Sequence, residues 1–427
     1  MAKRYFIITI GCSMNRSDSE RLAGRLNELG WQATKVRRQA DLAILVTCGI
    51  RQSAEDRIYG LIKQIKQDNP QTAVALTGCL SYRQDIKAKL GQQINYWFNI
   101  GQLGELDQVL ANPGGQTAGS LSHLADYLQI KPLYASKISA LVPIGNGCDN
   151  FCSYCVVPYA RGREKYRPAQ EIIAEVKGLL IDGYQEITVI AQNVNSYSDP
   201  KTKLDFAGLL EQLDKLGDYW LRFATSHPKD ISDRLIKTLK NSQQLSHHLH
   251  LPVQSGSNRI LEAMNRRYTH QHYRQIIQKV RQVWPDVSLT TDIIVGFPGE
   301  TKADFQDTVT LIDDLKFDQV YIAQFSPRSG TVAAKMIDDV SAEVKKQREV
   351  DLDKVVKKNA KANRQALIGQ TVPVIIESQR GANFFGRNDR NHGVLMIPPK
   401  GKEYAIGQRY RATITAAQNF GLTAELL

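Results

Sequence analysis

Three cysteines, Cys148, Cys152 and Cys155, stand close together in GNGCDNFCSYC (145–155). Three thiols in one loop leave one unpaired in any disulfide scheme, so a metal centre suits them better. Four thiolates would close a structural zinc site or saturate an iron–sulfur cube, whereas three leave one metal position open for chemistry. A zinc loop that borrows its fourth ligand from elsewhere is the blander alternative, although zinc ligands usually come as separated C-x-x-C pairs. The remaining cysteines are dispersed: Cys12 follows the apolar run RYFIITI, Cys48 follows LAILVT and Cys79 follows TAVALT. Three strand exits along one sheet edge bring thiols together without closeness in sequence, and that edge is where open α/β sheets bind ligands. Gly11, Gly49 and Gly78 lie beside these sulfurs, which lets backbone approach a bulky ligand. A second iron–sulfur cluster with an open iron is the favoured reading; a buried apolar role for each cysteine is the alternative.

The elements that must position these thiols fall into an α/β multidomain pattern. Residues 1–112 alternate four short strands (4–10, 42–47, 72–77 and 94–99) with polar segments of helical length (17–30, 51–69 and 80–90), as in a mostly parallel open sheet. Residues 113–137 open with Pro-Gly-Gly, stay polar and read as a linker. The region 138–364 supplies strands at 138–146, 186–193, 220–226, 247–254, 288–297 and 319–326. Helices from Pro168 and near 206–216, 231–240, 257–283 and 303–315 separate them, and a charged helix at 341–364 follows. Six such units are two short of a closed eight-fold barrel, and the active site of such a partial barrel belongs at the strand carboxyl ends. Gln192, Asn193, Asn195, Ser226, His227, Gln254, Ser255, Gly296 and Glu300 cluster at those exits. His247, His248 and His250 fit a polar barrel lining better than a metal site. Arg259, Arg266, Arg267 and Arg274 read mostly as solvated helix faces, with one or two left for phosphate. Residues 365–427 carry about five short strands with glycine breaks, the pattern of a small OB-like barrel. There Phe384 and Phe385 sit beside Arg387 and Arg390; they suit single-stranded RNA, or the phenylalanines are core.

The chain of 427 residues has room for two or three domains. It carries 55 Lys+Arg against 43 Asp+Glu, a net charge of +12, which points to a polyanionic partner such as nucleic acid. No apolar run approaches the ~20 residues of a membrane span. MAKRYFIITI enters a strand pattern without the h-region and cleavage site of a signal peptide. The expectation is a cytoplasmic protein whose cysteines stay reduced, with no membrane partner.

The spacing C-x-x-x-C-x-x-C, with Tyr154 before the last cysteine, resembles the signature of the radical S-adenosylmethionine (SAM) enzymes. The resemblance implies that Cys148, Cys152 and Cys155 hold three irons of a 4Fe-4S cluster whose fourth iron chelates SAM. The bound SAM is then cleaved to a 5′-deoxyadenosyl radical. VGFPGE (295–300) resembles the superfamily segment that passes the adenine of SAM.

Further phrases extend the likeness along the chain: GCSMNRSDSE, CDNFCSYCVVPYARGRE, AQNVNSY, TSHP, HLPVQSGS, MNRRY, TDIIVGFPGET and FSPRSGT. Together with the domain layout they resemble the methylthiotransferases, which join a three-cysteine α/β domain, a radical-SAM partial barrel and a small TRAM β-barrel. QNVNSY followed by HLPVQSGS is most similar to the branch that makes 2-methylthio-N(6)-isopentenyladenosine in tRNA. That resemblance implies two 4Fe-4S clusters, the second an auxiliary one on Cys12, Cys48 and Cys79 that carries or donates sulfur. It implies two SAM per turnover, a tRNA anticodon stem-loop as substrate, and a low-potential electron donor such as flavodoxin or ferredoxin. The reaction adds a methylthio group at carbon 2 of the modified adenine beside the anticodon. Tyr154, Gln192, Asn193, Ser226, Gln254, Gly296 and Glu300 are the expected SAM surroundings. Phe384, Phe385, Arg387 and Arg390 are the expected RNA contacts of the TRAM-like module.

Val46, Ser13 and Ala191 depart from the usual asparagine, glutamine and glycine of the family, which bears on the substrate branch and leaves every ligand cysteine intact. Sister branches act on N(6)-threonylcarbamoyladenosine in tRNA or on an aspartate of a small-subunit ribosomal protein. A non-enzymatic RNA-binding protein with zinc in both cysteine sets is the rival from another class.

Overall fold

The computed structural model describes residues 2–49, 52–112, 126–418 and 421–427. The first unit is a parallel sheet built from β1 (Arg4–Thr9), β2 (Gln32–Ala33), β3 (Leu42–Thr47), β4 (Ala73–Gly78) and β5 (Tyr96–Trp97), in the order β2-β1-β3-β4-β5. Strand β3 is buried at every position, which is why LAILVT is apolar throughout instead of alternating. Helices α1 (Ser13–Glu28), α2 (Gln52–Asp68), α3 (Gln84–Leu90) and α4 (Leu106–Ala111) complete the unit. Two separate cores cover the sheet, one holding Leu22, Leu26 and Phe98 and the other Ile58, Ile62 and Leu80.

Two details differ from the sequence reading. The strand expected over 94–99 shrinks to Tyr96–Trp97, and the exposed Gln32–Ala33 adds an edge strand that carries no apolar signal. Most of the expected linker, 113–125, lies outside the described residues. Its continuation Asp126–Gln129 is a 3₁₀ turn that buries Tyr127 and Leu128 in the first unit's core.

The central unit has six parallel strands: β6 (Ser139–Pro143), β9 (Glu186–Ile190), β10 (Trp220–Ala224), β11 (His248–His250), β12 (Ser288–Val295) and β13 (Gln319–Gln324). They form two triplets, β10-β9-β6 and β11-β12-β13. The triplets join where Leu221 N–H donates to Gln244 O (2.8 Å) and Ser246 N–H donates to Leu221 O (2.9 Å). The expected strand 138–146 breaks after Pro143, and β7 (Gly145–Asn146) pairs antiparallel with β8 (Lys165–Tyr166). That small ribbon brackets the cysteine loop and α5 (Val157–Arg161).

Helices α6 (Ala169–Ile181), α7 (Phe206–Leu213) and α8 (Asp233–Asn241) follow. The helix expected over 257–283 is two, α9 (Asn258–Ala263) and α10 (His270–Val283), because Asn265 turns left-handed (φ 55°) and Thr269 caps the second. Helices α11 (Lys302–Leu315) and α12 (Ala342–Gln365) close the unit. Among the described residues no helix is long and apolar enough to cross a membrane.

Strands β14 (Thr371–Arg380), β15 (Asn383–Asn388), β16 (Gly393–Ile397), β17 (Arg409–Ala417) and β18 (Leu422–Leu426) form a closed barrel in the order β14-β15-β16-β18-β17. Phe384 is 5% exposed within its core. The expected base-stacking role of Phe384 therefore gives way to packing: alternation turns it inward, and its neighbour Phe385 outward. Arg387 and Arg390 also face elsewhere than expected. Arg387 pairs with Glu186 (2.8 Å) and Glu377 (2.6 Å), and Arg390 pairs with Asp286 (2.7 Å). Glu186 opens β9 and Asp286 precedes β12, so the small barrel docks at the strand entries, the end opposite the cysteine loop. Both arginines are spent on that joint instead of being presented to RNA.

Candidate metal centre

The loop carrying Cys148, Cys152 and Cys155 runs from β7 to α5 and is held by its own backbone. Cys148 N–H donates to Gly162 O (3.1 Å), Ser153 N–H to Met264 O (3.0 Å) and Cys155 N–H to Cys152 O (2.9 Å). Gly147 has φ +81°, and a Cβ there would stand 2.1 Å from Arg163 O, so only glycine fits. Phe151 is left-handed (φ 46°), and Asn265 Nδ2 pins it by donating to Phe151 O (2.9 Å). Cys148 and Cys152 are buried and Cys155 is half-buried. Burial pushes the Cys148 thiol up to about 11 and Cys155 further, with Cys152 and Cys148 adding to the latter as neighbouring thiols. Asn150 Nδ2 donates to Cys148 Sγ (3.4 Å) and Arg266 Nη1 to Cys152 Sγ (3.6 Å). Such donors suit thiolates that a metal has stripped of their protons. Arg266, expected among solvated helix residues, is thus 7% exposed and turned onto the thiol loop.

The second trio gathers at the carboxyl ends of β1, β3 and β4. Cys12 caps α1, and its Sγ donates to Asn15 Oδ1 (3.2 Å). Thr47 ties the three exits together: its carbonyl accepts from Asn15 Nδ2 (2.9 Å) and from Cys79 N–H (2.8 Å). Gly78 has φ +86°, and a Cβ there would meet Thr47 O at 2.5 Å, so glycine is required. Cys48 and Cys79 are buried, while Cys12 is accessible. The protein around Cys12 nevertheless pushes its thiol up through desolvation. None of the six cysteines forms a disulfide.

The two trios adjoin. A Cβ on Gly49 would stand 3.4 Å from Cys79 Cβ and 3.4 Å from Val156 Cγ2, the residue after Cys155. Cys79 also adds to the rise of the Cys155 thiol. Tyr82, absent from the sequence reading, feels both Cys79 and Cys155; burial pushes it up to about 12. Its buried hydroxyl has no hydrogen-bond partner among the described residues. Among the described residues no three of His, Cys, Asp or Glu are grouped tightly enough for one metal ion. A four-iron cube takes each thiolate on a different iron, so its ligands need not meet at one point. Six unbridged thiols in two adjoining sets of three fit that donor chemistry.

The strand exits add polar groups. Asn193 Oδ1, Asn195 Oδ1, Ser226 Oγ and His227 Nε2 are buried without partners among the described residues. Buried polar atoms are normally satisfied, which makes these four candidate ligand contacts. His227 Nδ1 accepts from Lys229 N–H (3.3 Å), and burial pulls the ring down to about 2. The ring is therefore neutral, and because Nδ1 accepts, its proton sits on Nε2. Gln192 is half-buried beside them, and Tyr154 packs against the cluster of Ile260, Met264 and Phe297.

Gln254 takes φ +72° and bridges to Ile293, so its backbone is bound into the sheet. Glu300 Oε2 accepts from Gly296 N–H (2.6 Å) and Arg348 Nη1 (2.5 Å) at 4% exposure, which braces the 295–300 loop. The histidines line the barrel: His248 and His250 both meet Thr290 Oγ1, and His247 pairs with Asp286.

Residues 142–312 match the radical SAM superfamily, and residues 4–99 match a family described as uncharacterized protein family UPF0004. A protein of Thermoanaerobacter sp. (strain X514) named tRNA-2-methylthio-N(6)-dimethylallyladenosine synthase is 40% identical over 99% of this chain and 92% of its own length. Proteins of the same name from Oceanobacillus iheyensis and Moorella thermoacetica are each 37% identical over 100% of this chain, covering 84% and 98% of theirs. Among solved structures, the radical SAM methyltransferase TsrM from Kitasatospora setae superposes with a TM-score of 0.56 at 14% identity, covering 78% of this chain and 77% of that one. At that identity the likeness is one of fold. With two adjoining thiol trios, the partial barrel and kinship along the whole chain, the protein belongs to the radical-SAM family of tRNA-2-methylthio-N(6)-dimethylallyladenosine synthases.

Proposed function

We propose that this chain methylthiolates tRNA, placing a methylthio group on carbon 2 of N(6)-isopentenyladenosine beside the anticodon. The observation that carries the reading is the adjacency of the two thiol trios across Gly49 and Val156. Its relatives' shared name supports the substrate. Cys148, Cys152 and Cys155 hold one 4Fe-4S cluster and SAM; Cys12, Cys48 and Cys79 hold an auxiliary one that carries the sulfur. When bound, the first cluster and SAM supply the one-electron chemistry that an inert aromatic C–H demands.

The chain's own residues do the rest. Asn150 and Arg266 donate to ligand sulfurs, and the buried loop around them keeps water away. Asn193, Asn195, Ser226 and the neutral His227 offer acceptors and donors to SAM or to the extruded adenosine. Glu300 fixes the loop that passes the adenine of SAM. A second SAM supplies the methyl group by polar transfer, and flavodoxin or ferredoxin supplies electrons from the cytoplasm. The unit boundaries are 1–112, 113–137, 138–364 and 365–427. The last is a TRAM-like module docked far from the thiols, so it grips RNA away from the target base. Its outward Phe385, with Arg380 5.6 Å from the ring, offers a stacking surface beside a groove of about 610 Å³.

Nucleoside analysis of tRNA from cells with and without the gene tests the proposal. Every 2-methylthio nucleoside persisting at its normal level in the deletion strain would overturn it. An unmodified ribosomal-protein aspartate in that strain would favour the protein substrate instead. Metal analysis after anaerobic purification separates the rival class: about eight irons per chain fit two cubes, and zinc without iron fits a binding module.

A further inference from the structure

We propose that the central domain completes the auxiliary thiol site electrostatically, with Arg161 and Arg328 acting as positioning residues that raise the reduction potential of the cluster held there. The inference rests on the two-cluster reading above. All three auxiliary cysteines belong to the first unit, yet the two arginines come from the second, one from the end of α5 and one from the loop after β13.

Arg161 is 2% exposed, and its Nη2 donates to Asp18 Oδ2 at 2.6 Å. Asp18 lies on α1, the helix that Cys12 caps, and Tyr127 donates to its other oxygen at 3.0 Å. Asn146, beside the other thiol loop, accepts from Arg161 Nη1 at 3.1 Å. One guanidinium thus links the helix of Cys12 to the loop of Cys148.

Arg328 is 5% exposed and reaches the helix that follows Cys48. Its Nη1 donates to Gln52 Oε1 at 2.8 Å and stands 3.6 Å from Glu55 Oε2. Glu55 is already bound at 2.7 Å by Arg83, which follows Cys79. Arg83 also pairs with Asp85, so two guanidiniums balance two carboxylates at this edge, and removing Arg328 would leave the carboxylates in excess. Arg328 Nε is buried with no partner among the described residues.

Asp18 and Glu55 stand beside Arg161 and Arg328, so each guanidinium is held in place by a carboxylate. A cluster held by three thiolates is an anion whose potential is set by the surrounding charge and by hydrogen bonding to sulfur, so each of these fixed charges, positive or negative, bears on it. A fixed positive charge in a medium of low polarity favours the reduced, more negative state. Separating the two units would strip both charges from the site.

The test uses the full chain carrying Cys148→Ser, Cys152→Ser and Cys155→Ser, so that only the auxiliary site binds iron. Iron content and the midpoint potential, from an EPR-monitored titration with dithionite, are the readouts. The parent should hold about four irons. Arg328→Gln and Arg161→Gln should move the midpoint to more negative values, Arg328→Lys should return it towards the parent, and Asp18→Asn should move it the other way. A merely structural role would not reverse sign between Asp18→Asn and Arg161→Gln. If Arg161→Gln fails to fold, Arg328→Gln and Asp18→Asn decide the matter. Iron retained with an unmoved midpoint overturns this proposal alone; a parent without iron overturns the two-cluster reading and this proposal with it.

Discussion

Arg387 on the small barrel and Glu186 at the entry of β9 meet at 2.8 Å, with Arg222 on the same carboxylate at 2.6 Å. Glu186 is 2% exposed, and burial, which would raise its carboxyl, is outweighed by Arg222 and then Arg387. Arg222 also donates to the carbonyls of Asn388 and Asp389, so one buried triad fastens the barrel to the central unit. Glu186→Ala leaves the buried Arg222 without its carboxylate, while Arg387 keeps Glu377, and should cost about 3–5 kcal/mol. Arg387→Ala keeps the Arg222 pair and should cost less, about 1–2 kcal/mol by the same reasoning. Denaturant unfolding of both variants checks the order; equal losses would contradict the triad.

The division between the trios has a direct readout. Cys152→Ala should abolish reductive SAM cleavage, whereas Cys79→Ala should leave cleavage intact and stop methylthiolation. Loss of cleavage to the same degree in both variants would contradict separate roles.

Gly147→Ala places a methyl group 2.1 Å from Arg163 O at φ +81°. The loop cannot hold that geometry. Under the proposed two-cluster reading, iron bound per chain should fall by about half, since one of two cubes would lose its site. Normal iron content in this variant would mean that the loop conformation is not required.

His227 gives a pH signature of its own. Burial, with Arg266 and Lys229 adding to it, holds the folded ring near a pKa of about 2. An unfolded histidine takes up a proton near pH 6.5, and the folded one refuses it. Folding stability should therefore fall as pH drops below about 6.5, by about 1.4 kcal/mol between roughly pH 7.5 and pH 5.5. His227→Gln should remove that portion of the slope while keeping a donor in place. Unfolding curves at the two pH values measure it, and an unchanged slope in the variant would assign the dependence elsewhere.

Phe384 and Phe385 should separate cleanly. Phe384→Ala hollows the barrel core and should cost about 3–5 kcal/mol. Phe385→Ala should change stability by under about 1 kcal/mol and weaken binding of an anticodon stem-loop by roughly 5- to 100-fold, the worth of one stacked base. Unchanged RNA affinity would remove Phe385 from the interface.

Much of this was legible in the chain itself. Strands β1, β3 and β4 announce themselves through β-branched runs, and Cys12, Cys48 and Cys79 stand just past their ends. Edge strand Gln32–Ala33 did not, because it pairs backbone while burying nothing. Phe384 and Phe385 could not be sorted by composition, since inward and outward residues alternate along β15 and only the register assigns a face. Glu300 has the residue type of a ligand contact, and only the fold shows that Arg348, far along the chain on α12, binds one of its oxygens.

Residue identity and spacing fix which thiols form each trio, because local sequence sets the strand, the turn and the cap that present them. Whether the trios adjoin, and which distant arginines lie against them, was decided only when α1, α5 and the loop after β13 packed together. Contacts such as Arg161–Asp18 and Arg328–Gln52 join residues far apart in the chain, and no local pattern encodes a partner that tertiary packing alone brings within reach.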